Sequence, residues 1–353
     1  MLVETYLGDY PWNQLAEQAR ASERLGFDSI VASEIARDSF ITLTLAATST
    51  TRARLATSVT IAFPRSPMIV AYASRNLHDL SDGRFALGLG TQVKGHIERR
   101  FSSAFSPPGP RLREYIGALR AIWRSWDTGE RLNFQGKYYS FTLMTPEFSP
   151  PPSELPPIPV HIAAVNEYNI QLAGEVCDGL RVHPFATPAY ARDVILPNVR
   201  KGAARVGRDL AGFELSAGGF IATGETDEEI EEAREQARYR IAFYGSTRTY
   251  LPVLEHHDWG ALNEDLRALI AQERWSELGS VVPDSVLDTF CVAANYEDLP
   301  ERFAAQWQGL ADSVTLPMPK TPLEPGSERE ARFLHLIQRM REIPRTHAHG
   351  AAT

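Results

Sequence analysis

Cysteine is nearly absent. Only Cys177 and Cys291 occur in 353 residues, too few and too far apart for a disulfide framework or a zinc knuckle, and in keeping with a reducing compartment. Positive charge is not in excess either: 36 Lys and Arg against 44 Asp and Glu leave a net charge of -8, which would repel a phosphate backbone or an anionic lipid surface. No apolar run reaches the length that crosses a bilayer, and the opening "MLVETYLGDYPW" has neither the basic region nor the apolar core of a signal peptide. The expectation is a cytosolic protein whose partner is a small molecule, with neither nucleic acid nor membrane. No composition break marks a second domain, so residues 1–345 are expected to form one domain, followed by a disordered tail at 346–353.

What the chain does have is alternation. Short β-branched runs recur at Leu2 to Leu7, Phe27 to Ser33, Ala53 to Ala62, Gly83 to Gly90, Ile158 to Ala164, Asp178 to Pro184, Phe213 to Thr223 and in "DSVTLPM". Amphipathic helical stretches follow them, the first from Trp12 to Gly26, where a glycine ends the helix. Thr226 with Glu229 forms a capping box before "DEEIEEAREQARYRIAFYG". Arg131 to Phe141 reads as a hairpin turning at Gln135 and Gly136. The proline-rich "TPEFSPPPSELPPIP" can be neither helix nor central strand, so it is an extended connection. From Ser246 to Gly279 the pattern loosens. Eight strand signals, each followed by a helix, predict an α/β fold: a single (β/α)8 TIM barrel with insertions after strands 4 and 7.

In "SDGRFALGLGTQ" the glycine pair raises the question of a dinucleotide loop, which needs glycines at the first, third and sixth positions where a helix begins. Gly88 and Gly90 fit, but the sixth position is Val93 and no helix is expected there. In a barrel, Gly90, Thr91 and Gln92 instead fall at the C-terminal end of the fourth strand, where active sites of this fold collect. Gly88 is expected only to relieve crowding inside the barrel. Thr57, Ser58 and Thr60 are unusual in a buried parallel strand, which normally reads as a continuous apolar run. Glu34, ending the second strand, is either a general acid or base or a salt-bridged rim residue, with Arg37 close in sequence. The amides of "AAVN", Ala164, Val165 and Asn166 at a helix start, suit a phosphate, and Asn166 is also an ordinary N-cap. His183 ends the sixth strand at a site-like position, while His161 is expected as a satisfied core residue. His256, His257 and Asp258 do not share a helix face, and no metal is expected there.

"LGFDSIVASE", "LATSVTIAFPRSPMIVA", "LSDGRFALGLGTQ" and "PVHIAAVN" together resemble the bacterial luciferase-like superfamily, and within it the oxidoreductases that use the deazaflavin coenzyme F420. The resemblance implies a barrel that is usually a homodimer, with the cofactor ring at its C-terminal mouth. A bulge in the third strand, with a non-proline cis peptide, backs the ring; the matching positions are Ser58 and Val59. Gly90 and Thr91 would lie along the ring, and the amides of Ala164, Val165 and Asn166 would meet the cofactor phosphate. Several relatives carry histidine near the end of the second strand, where this chain has Glu34 and Ile35, so no catalytic acid carries over. Glu34, Gln92 and His183 are candidates by position. The implied activity is hydride transfer between F420 and a small alcohol, carbonyl or enone. The alternatives are an FMNH2-dependent monooxygenase and a non-catalytic flavin-binding protein. Phe63, Trp12 and Tyr10 are candidates for apolar walls.

Overall fold

The computed structural model describes residues 1–8 and 10–346. Its first strands are β1 (Leu2–Tyr6), β2 (Ser29–Ala32), β3 (Arg54–Thr57), β4 (Thr60–Ile61) and β5 (Phe85–Gly90). A small antiparallel pair follows, β6 (Phe134–Gln135) and β7 (Ser140–Phe141), then β8 (Val160–Ala164), β9 (Gly179–Val182) and β10 (Glu214–Ser216). The last three are β11 (Phe220–Gly224), β12 (Cys291–Asn295) and β13 (Ser313–Thr315). One parallel sheet runs β3-β2-β1-β13-β10-β9-β8-β5-β4, and a further β3–β5 pairing closes it on itself. Because β3 and β4 are the two halves of one strand, interrupted at Ser58 and Val59, the closed sheet is an eight-stranded barrel. Helices surround it as the alternation predicts.

The helices start and stop for local reasons. Leu15, Ala19 and Ser22 form the buried stripe of helix Leu15–Arg24, which ends where Gly26 turns left-handed at φ 89. Asp38 caps helix Ser39–Ser49 by accepting from the amides of Phe40 and Ile41. Thr226 likewise accepts from Glu229 at the head of helix Asp227–Gly245, while the Glu229 carboxylate reaches the Glu225 amide.

Most of the apolar core lies between the barrel and its helices. The barrel's own interior is largely polar. Residues paired in register on parallel strands point the same way, so the pairings Glu4 with Ser29, Gly88 with His161 and Ser216 with both Arg181 and Ser313 identify the inward set. Val31, Ala56 and Ala86 form a small apolar cluster of their own on the inner side of β2, β3 and β5. Arg181 and Glu4 form a buried ion pair at 3.0 Å, and the Ser216 hydroxyl donates to the same carboxylate at 3.1 Å. Glycine makes room for these groups. A Cβ on Gly88 would stand 2.0 Å from the Thr57 carbonyl oxygen and 3.2 Å from Arg181 Cδ, and one on Gly179 would stand 2.9 Å from the His161 ring.

Several sequence expectations are corrected. The run Phe213 to Thr223 is two strands rather than one: Gly218 and Gly219, at φ 151 and 65, turn the chain out of the barrel. β10 stays in the barrel and β11 pairs in parallel with β12 in a satellite sheet, and β12 itself lies in a stretch read as having no strand. A short helix, Lys94–Arg99, does begin directly after Val93. Gln135 belongs to its strand, and the hairpin turns over residues 136–139. The loosened stretch after Ser246 is helical, with Leu251–Glu255 and Gly260–Ala271. Of the expected disordered tail, Thr346 is buried and its hydroxyl donates to the Gly309 carbonyl at 2.7 Å; residues 347–353 lie outside the described residues.

Candidate active site at the barrel mouth

The inward parity that places Glu4, Gly88 and Arg181 inside the barrel brings Tyr6, Gly90 and His183, two residues further along the same strands, to its C-terminal mouth. Between them lies the interrupted third strand. The Ser58–Val59 peptide is cis. The Ser58 amide donates to the Ala32 carbonyl at 2.7 Å, and the Glu34 amide to the Val59 carbonyl at 3.3 Å. Val59 fills the space that a Gly90 side chain would need, since a Cβ there would meet Val59 Cγ2 at 2.6 Å. The result is a floor of backbone and small groups between β4 and β5.

Glu34 is engaged with this floor on both oxygens. Oε2 accepts the Ile61 amide at 2.7 Å, and Oε1 meets Arg65 at 2.6 Å, with Arg65 also held by Asp38 at 2.7 Å. Arg65, rather than the expected Arg37, is therefore the partner of Glu34. Arg37 reaches the Tyr10 carbonyl instead and stacks over Trp12 at 4.6 Å. Three hydroxyls of the unusual strand each find a contact. Thr57 bonds to both the amide and the carbonyl of Gly88, Thr60 lies 2.6 Å from the Ser39 hydroxyl, and Ser58 lies 3.4 Å from the Tyr6 hydroxyl. Thr91 and Gln92 stand at the rim, with Gln92 left-handed at φ 55 and its side-chain oxygen accepting the Val93 amide. On the next strand, Asn166 caps helix Glu167–Val176 by accepting from the Asn169 amide, and the Val165 carbonyl accepts from Tyr190. Phe63 is buried beneath the Arg111 guanidinium, at 4.4 Å.

His183 sits against two aromatic rings from the segment after strand 7, Tyr244 at 4.3 Å and Tyr250 at 4.8 Å. Its Nδ1 accepts the Phe185 amide at 3.0 Å, which puts the proton of the neutral ring on Nε2. Burial lowers its pKa to about 4. His161 is buried inside the barrel, where burial and then the Arg181 and Arg54 charges lower it to about 3. Its Nδ1 has no hydrogen-bond partner among the described residues, so it is not the satisfied core histidine expected. A cleft of about 300 Å³ opens near it at the other end of the barrel, between Arg54, Asp178 and Glu214. Both histidines are protonated near 6.5 in an unfolded chain but only near 4 and 3 here. The folded state thus binds fewer protons in that interval, and stability is expected to fall as pH drops from 6.5 toward 4. Denaturant melts across that range check this; a flat profile in a His161→Phe, His183→Phe double variant would assign the slope to these rings.

Among the described residues no group of three or more His, Cys, Asp and Glu could hold a metal ion. His257 is hydrogen-bonded to Thr187 and stacked on Trp259, and His256 faces Asp193. Both cysteines are buried and unbridged, and no described helix is long and apolar enough to cross a membrane. Sequence reading missed Tyr6, Arg65, Tyr244 and Tyr250 at the mouth; the alternation of Tyr6 with inward Glu4 was the signal that marks the first of them.

The model of the luciferase-like monooxygenase family matches residues 3–313. The chain belongs to this family. It is an enzyme of an oxidoreductase class, and the closed parallel barrel is that family's fold. An uncharacterized protein of Mycobacterium tuberculosis is 42% identical over 305 residues, covering 86% of this chain and 90% of that one. The F420-dependent glucose-6-phosphate dehydrogenase of Segniliparus rotundus is 33% identical over 219 residues, 57% of this chain and 62% of that one. The coenzyme F420-dependent tetrahydromethanopterin reductase of Methanopyrus kandleri superposes with a TM-score of 0.76 at 18% identity, covering 96% and 98% of the two chains.

Proposed function

We propose that this family member is a cytosolic, homodimeric oxidoreductase that moves hydride between F420 and a small alcohol, carbonyl or enone. The observation that carries the reading is the floor at Ser58, Val59 and Gly90, where the absent Gly90 side chain and the packed Val59 give a flat backing for a planar ring. The F420-dependent relative in Segniliparus favours the deazaflavin over FMN.

In this reading Ser58, Val59, Gly90 and Thr91 back the ring. The amides at Ala164, Val165 and Asn166, with the open first turn of helix Glu167–Val176, receive the phosphate. Bound F420 would supply a hydride acceptor or donor at its ring carbon. The chain's own contribution is orientation, exclusion of water and a proton or hydrogen bond at the substrate oxygen. Glu34, Gln92 and His183 are the candidates for that last role. Glu34 already has an amide and a guanidinium on its two oxygens, Gln92 stands at the rim, and His183 keeps Nε2–H for a ligand.

Titration of the cofactor-free protein with F420 and with FMN tests the proposal. The expected result is saturable F420 binding, no comparable FMN binding, and no oxygen uptake on reduction. Tight FMN binding with oxygen consumption would identify a monooxygenase instead; cofactor binding without turnover on an alcohol and carbonyl panel would identify a non-catalytic flavin protein.

A further inference from the structure

The end of the barrel opposite the mouth carries a cleft that the proposed reaction does not use. Its volume of about 300 Å³ is some ten times a water's share of the liquid. Arg54, His161, Asp178 and Glu214 line it, with Pro157 and Pro159 as an apolar side. Each stands within a few residues of the start of β3, β8, β9 or β10, which fixes the cleft at the N-terminal end of the barrel. Gly179 lies in register between His161 and Glu214 and has no side chain to separate them. The imidazole leans over it: a Cβ on Gly179 would stand 2.9 Å from His161 Nε2 and 2.6 Å from the Glu214 carbonyl oxygen.

Two buried groups of this lining lack partners. His161 is 2% exposed, and neither ring nitrogen has a hydrogen bond among the described residues. Glu214 gives one oxygen to Arg54 at 2.8 Å, while Oε1 is buried and accepts nothing among them. Buried polar groups are normally satisfied, so both call for a ligand. The charges on the lining do have partners: Glu214 is paired with Arg54, and Asp178 with Arg120 at 3.2 Å and Arg208 at 3.3 Å. Deeper in, Arg181 is paired with Glu4. Two guanidiniums on one Asp178 leave a surplus of positive charge beside the cleft, which works against a cation. The open Glu214 oxygen needs a donor, which works against an anion. His161 offsets neither, because burial keeps it neutral near neutral pH.

What fits is an uncharged group with a donor and an acceptor on separate atoms, because the two open groups stand on different strands. A hydroxyl presents both at one oxygen; a carboxamide presents them on two, with flat faces for the prolines. We propose that the cleft is a second binding site, for an uncharged carboxamide, with Glu214 Oε1 accepting the amide N–H and His161 Nε2–H donating to the amide oxygen. The site lies away from the floor at Ser58, Val59 and Gly90 and stands apart from the proposed activity.

The test titrates the full chain, without cofactor, with benzamide, benzoate and benzamidine, which share a shape and differ in charge. Binding is read by saturation-transfer NMR and by the ¹⁵N signals of the histidine rings. Benzamide is expected to bind with a Kd of about 1 mM, ordinary for nine non-hydrogen atoms, and to settle the His161 proton on Nε2 while the His183 signals stay in place. Benzoate and benzamidine should bind about tenfold more weakly or worse. Glu214→Gln should reverse the order of benzamide and benzoate, because Arg54 loses its carboxylate and the open oxygen gains a neighbouring donor. The proposal is overturned if no saturable benzamide binding occurs up to about 10 mM, if either charged probe binds tighter, or if the His183 signals move and those of His161 do not. An unreversed order in a folded Glu214→Gln variant overturns it as well. The histidine signals are read in the unsubstituted protein, so the outcome does not depend on a variant folding. A failed F420 titration would leave this site standing, and a failed benzamide titration would leave the proposed activity standing.

Discussion

Arg181→Ala is expected to lower folding stability by about 3 to 5 kcal/mol, the cost of leaving a buried charge without its partner. Glu4 is fully buried and Arg181 is 4% exposed. The Ser216 hydroxyl would remain as the carboxylate's only other ligand among the described residues. The same deletion also opens the space above Gly88 that the Arg181 stem now fills. Urea unfolding of the folded barrel measures it. The instructive companion is the double replacement Glu4→Leu, Arg181→Met, which removes both charges and is expected to recover most of the loss, because well-packed apolar pairs often match buried ion pairs. A loss below about 1 kcal/mol for Arg181→Ala would mean that water reaches the pair.

Glu34→Ala is the second large effect, and it separates two roles. Removing the carboxylate strips the Ile61 amide of its acceptor and leaves Arg65 with Asp38 and the Ile61 carbonyl. A stability loss of about 2 to 3 kcal/mol is expected, from one charge-assisted hydrogen bond and one partly buried ion pair. The lost carboxylate also braces β4 next to Val59 through the Ile61 amide, so in the proposed reading F420 affinity should drop about tenfold or more as the bulge loosens. Glu34→Gln keeps an acceptor for Ile61 and is expected to bind cofactor nearly as the parent does. If Glu34 instead serves as the acid or base, Glu34→Gln will lose turnover while binding and stability hold. Calorimetric binding beside single-turnover rates distinguishes the brace from the proton donor.

The barrel was legible because a buried parallel strand and an amphipathic helix have different periods, and eight repeats of that contrast leave few architectures. Where reading stopped, the cause is local. Gly218 and Gly219 look like an interruption within one strand, and nothing in "FELSAGGFIAT" says that the second half pairs with residues some seventy positions later. β12, "CVAAN", is five residues between two helices, shorter than any window in which alternation can be counted. Arg65 could not be matched to Glu34 because the pair spans two βα units, and sequence proximity favoured Arg37. The polar barrel axis was readable in part: Arg181 stands between Leu180 and Val182 and Ser216 between Leu215 and Ala217, and inverted parity of that kind is what a charged interior looks like in one dimension. The mouth's aromatic wall was not readable, since Tyr244 and Tyr250 lie on a helix and a turn whose docking depends on the satellite sheet.

The chain leaves the barrel at Gly219 and returns at Ser313, and the strands on either side of that excursion, β10 and β13, are neighbours in the sheet. Topologically, the excursion is a closed detour whose exit and entrance stand side by side. Its ends are tied at adjacent strands, while Phe290, Phe303 and Trp307 within it share the barrel's buried core. The floor at Ser58, Val59 and Gly90 and the wall at Tyr244 and Tyr250 therefore stand on different segments, the first on the barrel strands themselves and the second on a detour anchored to them.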